Sequence, residues 1–129
     1  DGTLEAIATD HAPHSDARKC VGLLSAPFGA IGLETAFPAL FTLAVEPGNL
    51  SLERLVSGLT SGPARIAGRT PFALRAGAPA RLTGIDLHGD RRVERRALQS
   101  LSHNCPFHGR DLRGWPTFVV VGERVTRLG

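Results

Sequence analysis

The chain contains no methionine and no tyrosine, one tryptophan, two cysteines and a single lysine, Lys19. With Asp1 as its first residue and no methionine anywhere, it holds no translation start, and we read it as a piece of a longer chain. Aromatic residues make up only 5%, so no stacking platform is available for unpaired bases. That sets aside a nucleic-acid module despite a net charge of +3 and a pI near 9.7, because the arginines are scattered rather than gathered into a phosphate-binding stripe. The one dense run, "DRRVERR" at 90–96, carries its own acids and reads as a solvated loop or face. Cys20 and Cys105 form no CxxC pair, which argues against a redox motif or a zinc ribbon and fits reduced thiols in a cytoplasmic protein. No apolar run approaches the roughly 20 residues of a membrane span. A basic leader with an apolar centre and a cleavage site is also missing.

What is present has ordinary globular proportions, with 42% hydrophobic and 21% charged residues in 129. A domain of that size buries roughly two thirds of its unfolded surface. "TLEAIATD" reads as a short buried strand ending at Asp10, with Ile7 and the alanines inside. "HAPHSDARKCVGLLSAPFG" reads as loop. Ile31 to Val45 has the composition of a buried helix that Pro38 should kink or restart. "GNLSLERLVSGLT" places Leu52, Leu55, Val56 and Leu59 at helical spacing, with Asn49 or Ser51 as cap. In "TSGPARIAG" Pro63 fits the first turn of a third helix, Ile66 packs inward and Gly68 ends it. Beyond Gly68 the texture changes: "GAPARLTGID" alternates as a strand, and "TFVVVGERVTRLG" reads as two strands joined at Gly122-Glu123. A boundary between residues 67 and 76 divides the chain into 1–68 and 69–129.

The chemistry concentrates in "AIATDHAPH", residues 6–14. An acid at the C-terminal tip of a strand, followed by a histidine-bearing loop and a helix, is the arrangement of a βα unit in a (β/α)8 barrel, whose loops converge on that face to build active sites. There Asp10 could ligate zinc together with histidine nitrogen and move a proton between water and a leaving nitrogen. An Asp at a strand end also serves as a helix cap or turn residue, and spacing alone leaves both readings open.

"IATDHAPH", "APFGAIGLETAFP", "LTSGPARIAG" and "GAPARL", in that order over nearly the whole chain, resemble the C-terminal part of the dihydroorotase family of cyclic amidohydrolases. The resemblance implies an α/β fold: the last βα unit of a TIM barrel with extra helices, and part of a small β-sandwich subdomain. It implies zinc-dependent, reversible hydrolysis of dihydroorotate to N-carbamoyl-aspartate in pyrimidine synthesis. Asp10 matches a zinc ligand that also acts as the catalytic acid/base, and His14 matches the histidine that holds the substrate carboxylate. Phe28 and Gly29 match a loop whose backbone meets the substrate ring. A binuclear zinc centre, a homodimer and an aspartate transcarbamoylase partner are further implications. His11 is either a support for Asp10 or a structural histidine; Arg18 and Lys19 read as solvated rather than as steering an anionic substrate.

Other features of the family are not in these 129 residues: the His-x-His motif, the carboxylated lysine, two further histidine ligands, and an arginine and an asparagine that grip the carboxylate. The chain alone is therefore expected to be inactive and to self-associate through an uncovered apolar flank. Arg81 stands where the family has an acid, and "SLSHNCPFHG" is a loose version of a family stretch expected in the outer β-subdomain. His103, Cys105 and His108 in it could suggest a soft metal site, but the matching stretch has no metal role. Two rivals remain: a non-catalytic scaffold for aspartate transcarbamoylase, against which Asp10 and His14 argue, and a sister amidase acting on hydantoin or allantoin.

Overall fold

The computed structural model describes residues 3–128; Asp1, Gly2 and Gly129, the ends of the two sequence segments, lie outside the described residues. Ser51 begins the first well-formed helix. Its hydroxyl accepts the Arg54 N–H at 3.2 Å, the usual device for satisfying a free donor in a first turn. Helix α3 runs Leu52–Leu59 and α4 runs Ser61–Ile66, with Thr60 breaking the helical path between them. Pro63 falls in the first turn of α4, where its missing N–H would have had no partner.

The two helices form a seat for the N-terminal segment. Gly58 and Gly62 are both buried. A Cβ at Gly58 would lie 2.9 Å from Ile7 Cδ1, and one at Gly62 would overlap the Glu5 carbonyl oxygen. Ile7 N–H donates to the Gly58 carbonyl at 2.8 Å. Residues 4–10 are thus held in an extended path, but not as the buried strand the sequence suggests. They form no ladder among the described residues, Leu4 is 84% exposed and Ala8 is exposed. The physical reason is that this segment rests against helices and has no strand neighbour to pair its remaining backbone groups. Ile66 does not pack inward either, at 67% exposed. It lies one turn beyond Gly62, the residue on which Glu5 rests.

Pro38 decides the next helix. Residues 31–35 stay non-helical, α2 covers Ala36–Leu40, and a π-helical turn continues through Phe41–Val45. The helix restarts so that Pro38 sits in its first turn, with Ala39 N–H making an i→i−4 bond to Thr35 at 2.9 Å. The expected loop also contains one helical turn, α1, at Asp16–Lys19.

The second half is mostly strand. β1 (Arg81–Asp86), β4 (Trp115–Val121) and β5 (Arg124–Arg127) form an antiparallel sheet in the order β1-β4-β5, while β2 (Arg91–Arg92) pairs with β3 (Asp111–Leu112). The hairpin expected at Gly122-Glu123 is there, with Val121 opposite Arg124. Pro116 can donate no ladder bond, and it occupies the register shift beside Gly84 and Ile85 in the central strand.

Ile31 and Ala39 from the first half share a core with Val93, Cys105, Leu112 and Trp115 from the second. Val93 is therefore an inward residue inside the otherwise exposed 90–96 run. Arg113 ties the halves on the surface, reaching Asp90 at 2.7 Å and Glu46 at 3.0 Å. Its hydrogen bond, with the guanidinium charge, holds the Asp90 carboxyl below the usual carboxylate range. No helix among the described residues is long and apolar enough to cross a membrane.

Two outcomes follow. Gly62→Ala should cost about 1–3 kcal/mol in urea unfolding, because the added methyl must displace the Glu5 backbone; an unchanged midpoint would show that the segment is not seated there. Asp90 contributes stability above its unfolded value of about 3.9 that is lost as pH falls through its lower folded value. Arg113→Met should therefore flatten the acid limb of a melting-temperature profile below about pH 4.

Candidate active site

Asp10 ends the extended segment in the left-handed region, at φ 46°, and is the one non-glycine with positive φ among the described residues. Asp tolerates that conformation better than most residues, yet such backbone still costs of order 1–3 kcal/mol and concentrates at functional sites. Its side chain is exposed and borders an open apolar groove of about 930 Å³ shared with Ile7, Leu33, Phe37 and Leu82.

Past Asp10 the chain loops out and returns. His11 and Ala30 form a parallel bridge, with Ala12 N–H donating to the Ala30 carbonyl at 3.0 Å. His11 Nδ1 accepts the N–H groups of Gly32 and Leu33, each at 3.2 Å. That nitrogen is an acceptor, so the ring proton sits on Nε2. Of the two sequence readings of His11, this geometry gives the structural one: the ring joins the end of the extended segment to the entry of α2.

The returning limb is gripped at three successive carbonyls. Lys19 Nζ donates to Pro27 O at 2.9 Å and to Gly29 O at 3.0 Å. His14 Nε2 donates to Phe28 O at 2.9 Å, and Asn104 Nδ2 donates to Gly29 O at 2.8 Å. Because a carbonyl can only accept, His14 carries its proton on Nε2, leaving Nδ1 as the ring nitrogen with no assigned partner among the described residues. Lys19 is therefore not the solvated side chain that the sequence suggests. Bonds to a charged donor contribute roughly 1.5–3 kcal/mol when sheltered, and less at a half-exposed position such as this.

Gly29 makes the return possible. At φ +113° it occupies backbone that side chains rarely adopt, and a Cβ there would lie 2.5 Å from Ala12 Cβ and 3.6 Å from His14 Nε2. Phe28 turns outward, 97% exposed. The structure thus brings His14, Phe28 and Gly29 together, while Asp10 borders a groove that none of the three lines.

"SLSHNCPFHG" does not lie apart from this loop. Ser102 is buried, donates to the His14 carbonyl at 2.7 Å, accepts the His14 N–H at 3.3 Å and touches Asn104 Oδ1. His103 Nδ1 meets Asp16 Oδ2 at 3.3 Å, and Asn104 O accepts from Ile31 N at 3.2 Å. Glu34 anchors the approach to this stretch by accepting the N–H groups of Gln99 and Ser100 at 2.9 and 3.1 Å. Cys105 is buried in the core, while His108 Nδ1 lies 3.2 Å from the Val93 carbonyl. Lys19, Ser102 and Asn104 are the supports that sequence reasoning missed. Only the unusual solitude of Lys19 could have hinted at one of them.

Among the described residues no three His, Cys, Asp or Glu side chains converge to hold a metal ion. The described donors do not by themselves make up a metal site.

No family model matches the chain. The dihydroorotase of Brevibacillus brevis is 45% identical over 126 residues, which cover 97% of this chain and 29% of that protein. The dihydroorotase of Geobacillus thermodenitrificans is 45% identical over 122 residues, covering 95% and 28%. The chain is a relative of the dihydroorotases. It spans less than a third of the length of these dihydroorotases. Among solved structures, an L-hydantoinase (dihydropyrimidinase) from Arthrobacter aurescens aligns with a TM-score of 0.73 and 37% identity over 81% of this chain and 24% of that one. A dihydropyrimidinase from Brevibacillus agri aligns at 0.83 over 96% and 28%, and at 22% identity it speaks for the fold alone. The chain is thus a small α/β unit matching part of the hydantoinase fold.

Gly29→Ala should lower the melting temperature, since both the backbone strain of about 1–3 kcal/mol and the Ala12 contact oppose it. Gly77→Ala is the control, because Gly77 has φ +81° but open space around it. Equal losses in the two variants would show that the approach to Ala12 contributes nothing.

Proposed function

We propose that the chain is the C-terminal portion of a zinc-dependent dihydroorotase, with residues 1–68 closing a TIM barrel and 69–129 forming part of a β-subdomain. The observation that supports this most is the 45% identity to dihydroorotases along 97% of the chain. The strained backbone at Asp10, where a carboxylate would be needed, agrees with it.

In this reading Asp10 is one zinc ligand, and the remaining ligands belong to the part of the relatives' length that this chain does not cover. Zinc would supply Lewis acidity and a more acidic water. Asp10 takes a proton from the water that attacks the ring carbonyl and passes it to the ring nitrogen as the C–N bond breaks. Water's hydroxyl stays on the carbonyl carbon, and the products are those of net hydrolysis. With Nε2–H given to the Phe28 carbonyl, His14 holds the substrate carboxylate through Nδ1–H as an imidazolium, in which both ring nitrogens donate, and the Phe28-Gly29 backbone meets the ring.

A second reading, a sister amidase acting on hydantoin-type rings, is favoured by the 37% identity to the Arthrobacter L-hydantoinase. It shares the role of Asp10 but gives His14 no carboxylate to hold.

Asp10→Asn in the full-length protein should lower kcat by roughly 10²- to 10⁴-fold, the usual range for a lost acid/base. Its melting temperature should change little, since Asn also tolerates the left-handed region. Near-full activity in the variant would end the assignment. His14→Ala should weaken dihydroorotate binding by about 1.5–3 kcal/mol. Unchanged affinity would instead favour the hydantoin reading.

A further inference from the structure

We propose that Lys19 and Asn104 are positioning residues that set how tightly the Pro27–Gly29 backbone binds its ligand. The inference rests on the dihydroorotase reading, in which that backbone meets the substrate ring. Its physical basis is the geometry of the peptide plane. In a trans peptide the carbonyl and the following N–H point in opposite directions. Holding Pro27 O therefore aims the Phe28 N–H, holding Phe28 O aims the Gly29 N–H, and holding Gly29 O, as Lys19 and Asn104 do, fixes the peptide plane on the far side of Gly29 so that this glycine cannot swing its own N–H away.

All three carbonyls of the run are held, by Lys19, His14 and Asn104. The Phe28 N–H therefore points away from the Pro27 carbonyl that Lys19 holds and the Gly29 N–H away from the Phe28 carbonyl that His14 holds, and among the described residues no acceptor is assigned to either. Two adjacent, aimed donors suit an oxygen of a cyclic imide or diamide. Lys19 contributes from within the loop, one turn of helix past His14. Asn104 contributes from a segment 75 residues away, its Nδ2 donating to the Gly29 carbonyl at 2.8 Å. Neither side chain needs to touch the substrate; each acts through the main chain.

The test compares wild type, Lys19→Met, Asn104→Ala and Lys19→Arg in the full-length protein, reading kcat and KM for dihydroorotate and hydrogen exchange over residues 26–30. KM should rise about tenfold in each of the first two variants while kcat stays within about twofold. Exchange over 26–30 should quicken in both, and Lys19→Arg, which keeps charged donors in reach, should recover most of the affinity. A KM within about twofold of wild type in both variants, or exchange over 26–30 that does not change, overturns the proposal. A wild-type protein that leaves dihydroorotate untouched would instead end the functional reading, and the exchange measurement would still decide whether the clamp exists.

Discussion

The candidate site depends on three successive backbone carbonyls being held by side chains. Lys19, His14 and Asn104 together engage Pro27, Phe28 and Gly29, and without those bonds the limb that returns from residue 20 to residue 30 has little apolar packing of its own. Leu23 and Leu24 are almost fully exposed, as is Phe28. Order in this loop therefore comes from polar bonds to the main chain, whose geometry is directional in a way that apolar contact is not. That suits the proposed role of the loop, which is to present its backbone at a fixed angle.

The base of the loop is fixed by close approach rather than by pairing. Gly58 and Gly62 let the extended segment lie directly on α3 and α4, so the chain reaches Asp10 along a defined path with one main-chain bond, from Ile7 to Gly58. The shared core then places Ile31 beside Cys105 and Trp115, which brings the 98–105 stretch onto the site loop. A substitution in that distant stretch reaches the site through Ser102 and Asn104. This is why a loose match to a family motif there bears on the candidate site after all.

Local rules made part of this legible. Ser51 as a cap, Pro63 and Pro38 in first turns and the Gly122-Glu123 hairpin follow from backbone constraints confined to a few residues. The segment at 3–10 was misread because alternation of small apolar residues says nothing about whether a partner strand is present. Ile66 was misread because helical spacing cannot say how far a covering segment extends. In the site, the proximity of His14 to Phe28 and Gly29 agrees with the motif resemblance. The bonds from Lys19 and Asn104 could not be foreseen, since each depends on where a loop turns in space, and Asn104 acts across 75 residues.

The central claim is that this loop and Asp10 belong to a site built for a cyclic diamide bearing a carboxylate. The most direct measurement compares kcat/KM of the full-length protein for dihydroorotate and for dihydrouracil, the same ring without the carboxylate. With His14 and the other carboxylate contacts in play, dihydroorotate should be preferred by at least about 10²-fold. Equal turnover of the two, or a preference for dihydrouracil, would contradict the account and identify the site as one that reads the ring alone.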